Sequence, residues 1–132
     1  MSGALEAVQG PLVARLQAHS PLMDLIRGIF DGPPPRADFP YIALATGASL
    51  DWSHKGGVGR ELSLALTVHD DGETAARLHR VMALVEEALE PGLEDPAGWQ
   101  IVTFDFRRTR ILRNAAGPWS GLIEYRARVL KV

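Results

Sequence analysis

The feature that most constrains this sequence is a strict alternation of large apolar side chains with small or polar ones over residues 60–68. The large apolar members are Leu62, Leu64, Leu66 and Val68, and the residues between them are Glu61, Ser63, Ala65 and Thr67. Because side chains two residues apart point to the same face of a strand, this period predicts a half-buried antiparallel strand. The rest of the chain must supply the elements that cover its apolar face.

Other stretches have the periodicity of helices or strands. Apolar spacings of three and four predict an N-terminal helix that ends near Ala18-His19 and an amphipathic helix over Glu73–Leu89. A short second helical segment is predicted to start at Ser20-Pro21, with an apolar stripe that reaches Ile29. Gly10-Pro11 interrupts the first helix, so either the helix kinks there or Pro11 lies in the first turn of the main helix. The remaining strands are predicted over Tyr41–Thr46, Trp99–Leu112 and Trp119–Val132, with a turn at 114–118 and a loop at 47–59. This order predicts an α+β fold, a mainly antiparallel sheet of about four strands with the N-terminal helices and the amphipathic helix on one face.

Composition limits the classes of protein that the chain can belong to. It has 132 residues, no cysteine and a formal net charge of −2. This length predicts a single domain over residues 1–132, and the lack of cysteine excludes a disulfide framework and a cysteine nucleophile. The charge disfavours a large sequence-independent contact with nucleic acid. Neither a membrane-spanning run nor a secretory signal is recognised, so we expect a protein kept in the cytoplasm, or in a particle assembled there, with no membrane partner.

The segment 55–60, Lys-Gly-Gly-Val-Gly-Arg, resembles part of a phosphate-binding loop. Such a loop needs a helix after its glycines, and it ends in lysine followed by serine or threonine. Here Arg60 and Glu61 occupy those two positions, and a strand follows. We therefore interpret the segment as a mobile hairpin loop, since its three glycines permit positive φ.

Residue types that carry catalysis are present without a productive spacing. The histidines form no i, i+4 pair: they are His19, His54, His69 and His79. Asp70 and Asp71 are adjacent and so point in different directions, which favours a turn and a helix start. No serine has the flanking glycines of a nucleophile elbow. We expect no catalytic residue, no metal ion and no cofactor.

Arginine is concentrated in the two C-terminal strands, at positions 107, 108, 110 and 113 of one and 126 and 128 of the other. These side chains form either a basic patch for DNA or an acidic partner, or a solvated face on which they pair with Glu124 and Asp105. The overall charge favours the paired face, or a protein–protein contact. Alternation also predicts that Val102, Phe104 and Phe106 share one face of their strand.

Trp52 lies in the polar, glycine-rich loop. Tryptophan is enriched at the hot spots of protein interfaces and is unusual in an exposed loop. Trp52 therefore either contacts a partner or folds back on its own domain, and the sequence leaves both alternatives open.

Several short motifs, taken in order, are similar to those of a known protein family. They are Pro40-Tyr41-Ile42, Asp51-Trp52-Ser53, the run from Lys55 to Arg60-Glu61, and the closing Tyr125-Arg126-Ala127-Arg128-Val129. Over nearly the whole chain they resemble the tail-completion or tail-terminator proteins of long-tailed phages, prophages and gene transfer agents. The strand that usually ends in Val-Trp-Ser reads Val68-His69-Asp70 here, so we do not expect the contact that this tryptophan makes in the family.

The resemblance implies a structural virion protein rather than an enzyme. Family members have an α+β fold and assemble as a ring, commonly of six subunits, on the end of the tail tube. The ring stops tube polymerisation and presents a surface to the head. The implied partners are further copies of the chain, the tail tube protein and a head-completion or connector protein, and DNA passes through the lumen without specific binding. The implied location is the tail of a phage or gene transfer agent particle assembled in the bacterial cytoplasm.

A closed ring requires one patch of each subunit to meet a different patch of the next. The candidate residues for a ring or partner interface are Asp51, Trp52, Lys55, Gly57, Arg60, Arg108 and Arg110. An unpaired strand edge is a further suitable element, because it can add to a neighbouring sheet. The alternatives are a head-completion or head–tail adaptor protein and, in another class, a partner-binding α+β domain of the host.

Overall fold

A computed structural model describes residues 3–113, 115 and 117–132, without the side chain of Thr46. These residues form three helices, namely α1 (Ala4–Gln17), α2 (Ser20–Leu25) and α3 (Ala76–Leu89). They also form five strands, namely β1 (Ile29–Asp31), β2 (Tyr41–Asp51), β3 (Gly59–Asp70), β4 (Trp99–Arg113) and β5 (Trp119–Lys131). The predicted α+β class is confirmed, with five strands rather than about four.

The strands form one sheet in the order β1-β2-β3-β5-β4. β1 is parallel to β2, and all other neighbours are antiparallel. β4 is one edge of the sheet. At the other edge, β1 pairs only with residues 42–44 of β2, so no described strand lies on that side of residues 45–51.

The two faces of the sheet differ because side chains alternate along β3 and β5. The apolar face is covered by α1, α2 and α3, and its buried strand residues are Leu62, Leu64, Leu66, Val68, Ile123, Tyr125, Ala127 and Val129. We call this the helix-covered face. The other face, which we call the open face, carries Glu61, Ser63, Ala65, Thr67, His69, Ser120, Leu122, Glu124, Arg126 and Arg128.

The N-terminal elements differ from the prediction in two places. α1 runs through Pro11 from Ala4 to Gln17, so Pro11 does not mark the start of a helix. The second helical segment ends at Leu25, not at residue 29. Ile29 instead begins β1, because the backbone beside Gly28 pairs with β2, where the Ile42 N–H donates to the Gly28 carbonyl over 3.0 Å.

β2 is longer than predicted. A bulge between Ala45 and Ala48 carries the strand past the expected end at residue 46 and on to Asp51. Gly47 lies in this bulge so close to the Ser63 carbonyl that an added Cβ would overlap it. The bulge interrupts the period-two pattern, which is why this stretch resembled the start of a loop.

β4 also contains bulges, one between Ile101 and Thr103 and one between Phe106 and Arg108. The prediction that Val102 shares a face with Phe104 and Phe106 is wrong, because Val102 lies in the first bulge. The predicted turn at 114–118 includes Asn114 and Ala116, which lie outside the described residues.

The junction between β3 and α3 contains a buried carboxylate. Asp70, which the sequence suggested as part of a turn, is the last residue of β3 and is fully buried. Its oxygens accept hydrogen bonds from Arg77 Nε at 2.9 and 3.1 Å and from the Asp71 N–H at 3.0 Å. α3 begins at Ala76, three residues later than predicted, so Arg77 lies in its first turn.

Candidate assembly interface

The turn between β2 and β3 is a narrow hairpin. The Trp52 N–H donates to the Gly59 carbonyl over 2.9 Å, and His54 and Gly57 exchange two backbone hydrogen bonds of 3.0 Å. Lys55 lies at the exposed tip. The loop glycines are not used for positive φ, which among the described residues occurs only at glycines 32, 92 and 98. Gly59 is needed instead for close approach, because an added Cβ would overlap the Trp52 carbonyl.

Asp51 holds the start of this turn. Its Oδ1 accepts hydrogen bonds from the Ser53 hydroxyl at 2.6 Å and from the Ser53 N–H at 3.2 Å. Both bonds favour the charged carboxylate and lower the pKa of Asp51. Arg60, opposite Asp51 on β3, donates to the Ser49 hydroxyl over 3.3 Å.

Trp52 folds back on its own domain. Its ring stacks on His54 with centroids 6.3 Å apart, and the Arg128 guanidinium lies 5.3 Å from its ring centroid. Trp52 is half-buried, so part of the ring remains accessible beside the exposed Lys55. The chain therefore positions Trp52 by contacts of its own, and those contacts leave some of its surface for another molecule.

A network of ion pairs crosses the open face. Three guanidinium groups and three carboxylates take part, on residues Arg108, Arg126, Arg128, Glu61, Asp105 and Glu124. Glu124 accepts hydrogen bonds from Arg108 and raises the pKa of that arginine. Arg126 lies 3.9 Å from Asp105, which confirms the pairing across strands with Glu124 and Asp105.

Glu61 is a partner that the sequence analysis missed. Arg128 Nε donates to it over 3.0 Å, and Arg126 lies 3.8 Å away. The sequence signal for this pairing is the position of Glu61 on the polar side of the alternating strand. The opposed charges leave this face without a strong excess of either sign.

The seven candidate residues form two separate groups. Five lie at or beside the β2–β3 turn, namely Asp51, Trp52, Lys55, Gly57 and Arg60. Arg108 and Arg110 lie on the edge strand β4 instead. Across the sheet, Arg108 lies opposite Glu124 on β5, and Glu124 in turn lies opposite Ala65 on β3. Ala65 is five residues along β3 from Arg60. The structure therefore does not bring the two groups together.

The edge strand β4 carries a concentration of exposed apolar side chains. Val102, Phe106, Ile111 and Leu112 are all at least 36% exposed. An open cleft lies between β4 and the C-terminal half of α3, lined by Glu86, Glu90 and Phe106 among others. α3 thus covers the centre of the sheet but leaves Phe106 accessible.

A pocket lies at the opposite edge, beside the stretch of β2 that β1 does not cover. Its volume is about 300 Å³, and its lining residues are Leu5, Gln9, Leu12, Asp31, Gly32, Leu44, Ala45, Gly47, Leu64 and Ala65. The lining combines apolar side chains with polar surface, and Asp31 is its one charged member among the described residues. These residues come from α1, β1, β2 and β3, so no local sequence pattern indicated the pocket.

Comparison with known proteins identifies the family. The sequence model described as tail completion protein gp17 matches residues 10–130. The chain belongs to this family. A chain in the virion of a native gene transfer agent particle is similar, with 25% identity, a TM-score of 0.87, and coverage of 98% of this chain and 99% of that one.

A second structure shares the fold. The gp17 protein of bacteriophage SPP1 has 20% identity, a TM-score of 0.63, and coverage of 96% of this chain and 89% of that one. No curated protein sequence matches significantly. The family and the virion match confirm that the chain is a structural protein of the virion tail and not an enzyme.

Two further findings concern membranes and metals. None of the described helices combines the length and the apolar character needed to cross a bilayer. The described residues bring together no group of three or more histidine or carboxylate side chains arranged for a metal ion.

Proposed function

We propose that this protein closes into a ring on the end of the tail tube, stops tube polymerisation and presents a surface that joins the tail to the head. The observation that carries the proposal is the similarity, over 98% of the chain, to a component of a gene transfer agent virion. The ring number implied by the family is commonly six.

The two edges of the sheet support ring closure. A ring needs two different, complementary patches on each subunit, and its rotation must close. β4 and the uncovered part of β2 are different in sequence and shape, and they lie at opposite ends of the strand order. A contact between them is heterologous, which suits a ring better than an isolated twofold dimer.

The open face supports passage of DNA without tight binding. A tail-end ring must let DNA slide, and strong phosphate contacts would hold it back. Arg108, Arg126 and Arg128 are all within reach of carboxylates, so their charge is offset locally. The formal net charge of −2 acts in the same direction.

The β2–β3 turn is the proposed contact with the next subunit, the tube or the head connector. Asp51 and Gly57 fix the hairpin, while Lys55 and part of Trp52 face outward. Arg110 on β4 is exposed and makes no ion pair with a described residue, so it is available to a partner at the sheet edge.

The decisive experiment is deletion of the gene in the strain that produces the particles, followed by electron microscopy. We expect filled heads without tails beside overlong or ragged tails, and complementation with the gene should restore joined particles. Tails of normal length that fail to attach would favour a head–tail adaptor instead. Normal tailed particles would contradict both functions.

A further inference from the structure

We propose that Phe106 on β4 of one copy inserts into the pocket beside β2 of the next copy, and that this contact builds the ring. The inference rests on the proposed ring and specifies its interface. Its occupant is a second copy of this chain, and three independent features of the structure support that choice.

The first feature is the match between an exposed aromatic side chain and a pocket whose lining includes several leucines. Phe106 is 46% exposed, and its ring makes an edge-to-face contact with Tyr125 at 5.8 Å between centroids. The pocket measures about 300 Å³, and four of its lining residues are leucines. An apolar cavity of roughly 150 Å³ is enough to take up benzene, so one phenyl ring fits.

The second feature is that the pocket and Phe106 lie at the same position along the strands, at opposite edges of the sheet. Tyr125 pairs with Leu64 on one side and with Phe106 on the other. Leu64 lies level with the β2 bulge, since its neighbours Ser63 and Ala65 pair with the residues that flank that bulge. One row across the sheet therefore runs from the pocket at one edge to Phe106 at the other.

This row determines which residues of two adjacent copies are aligned when their sheets lie side by side. β4 runs opposite to β2, because three antiparallel pairings separate them. A neighbour in the same orientation presents its β2 edge to β4 in the antiparallel sense. Phe106 is level with the neighbour's pocket, and both lie on the helix-covered side, since Phe106 pairs with the buried Tyr125 and α1 lines the pocket.

The third feature is charge. Arg107 and Arg110 lie within four residues of Phe106 and make no ion pair with a described residue, whereas Arg108 is paired with Glu124. The one charged residue among the described pocket lining is Asp31. Opposite charges at the rim of an apolar contact favour this pairing over a pairing of two β4 edges, which would bring arginines together.

The test exploits the absence of cysteine from the chain. Thr109→Cys and Gln9→Cys are combined, so that one thiol lies on the same face of β4 as Phe106 and the other lies at the pocket, while Phe106 itself is kept. Thr109 is exposed and pairs with the buried Ile123, which places it on the helix-covered side. The tagged variant is expressed in the deletion strain, particles are purified, and a short bismaleimide is added. Each single variant and the pair Leu112→Cys with Gln9→Cys, which moves the first thiol along β4 to the open side, serve as controls.

We expect the Thr109→Cys, Gln9→Cys pair to give a ladder of covalent multimers that ends at the ring number, and the controls to stay monomeric. Particles that contain the protein without a ladder would overturn the interface and leave the proposed function standing. A ladder from the Leu112 control instead, or a cross-link to the tube protein, would also overturn it. Particles that lack the protein altogether would overturn the proposed function itself.

Discussion

The ion pair between β3 and α3 gives a sharp prediction about stability. Asp70 is the only fully buried charged residue among those described, and Arg77 is its counter-ion. Substitution of Arg77→Met keeps the aliphatic stem and removes the guanidinium. Among the described residues, the Asp70 carboxylate then keeps only the hydrogen bond from the Asp71 N–H, at 3.0 Å.

The size of the effect follows from burial. Removing one partner of a buried ion pair costs about 3–5 kcal/mol, because an uncompensated charge stays buried. The Arg77 side chain is 43% exposed, so water reaches this pair from one side. We therefore expect a loss of stability at the lower end of this range, about 3 kcal/mol. The free energy of unfolding of a typical domain is about 5–15 kcal/mol. The melting temperature should fall by about 10 °C.

Urea denaturation followed by circular dichroism measures the loss directly. Arg80→Met is the matched control, because Arg80 is exposed on the same helix and makes no ion pair with a described residue. Its effect should stay within about 0.5 kcal/mol. Adding Asp70→Asn to the Arg77→Met variant should restore stability, since the buried charge is then gone. A loss below about 1 kcal/mol for Arg77→Met, or a double variant less stable than the single one, would refute this account.

Three other predictions concern backbone contacts, pH and assembly. Gly59→Ala should destabilise the chain by about 1–3 kcal/mol, because the added Cβ overlaps a backbone carbonyl. Gly10→Ala lies in open space within α1 and should stabilise the chain by about 0.5–1 kcal/mol. Urea denaturation of both variants distinguishes steric overlap from a general effect of alanine. Burial lowers the pKa of His69, so the unfolded chain takes up that proton first and stability is lost as the pH falls below about 6.5. His69→Gln should reduce the difference between melting temperatures at pH 7.5 and 5.5, and an unchanged difference would exclude His69 as the cause. Trp52→Ala should reduce retention of the protein in purified particles without changing its circular dichroism, whereas exposed His79→Ala should not, and full retention of the Trp52 variant would remove the turn from the interface.

The sequence predicts best those elements whose alternation of apolar and polar side chains is complete within the element itself. β3 and β5 alternate without interruption and were placed within two residues at each end. β1 was missed because it is three residues long and exists only through its pairing with β2, far along the chain. Its apolar residue Ile29 continued the helical spacing of the segment before it, so periodicity alone assigned it to the wrong element.

The candidate site was predictable only where it is contiguous in sequence. The residues from Asp51 to Arg60 lie close together because one hairpin turn connects the paired strands β2 and β3. The position of Arg108 and Arg110 depends on β5 lying between β3 and β4, and the order of elements along the chain does not reveal that arrangement. Phe106 is exposed for the same reason, since β5 displaces β4 from the cover of α3.

The edge strand β4 combines features that act in opposite directions. Its two bulges and its arginines hinder the regular pairing of strand edges, which is how natural sheets avoid uncontrolled association. Phe106 nevertheless remains exposed on that edge. A strand that resists general pairing but presents an aromatic side chain suits a surface that has a matching pocket, which is the contact we propose. Because that pocket lies at the other edge of the same sheet, each contact of the proposed kind would leave a free edge for the next copy, and growth would end only when a ring closes.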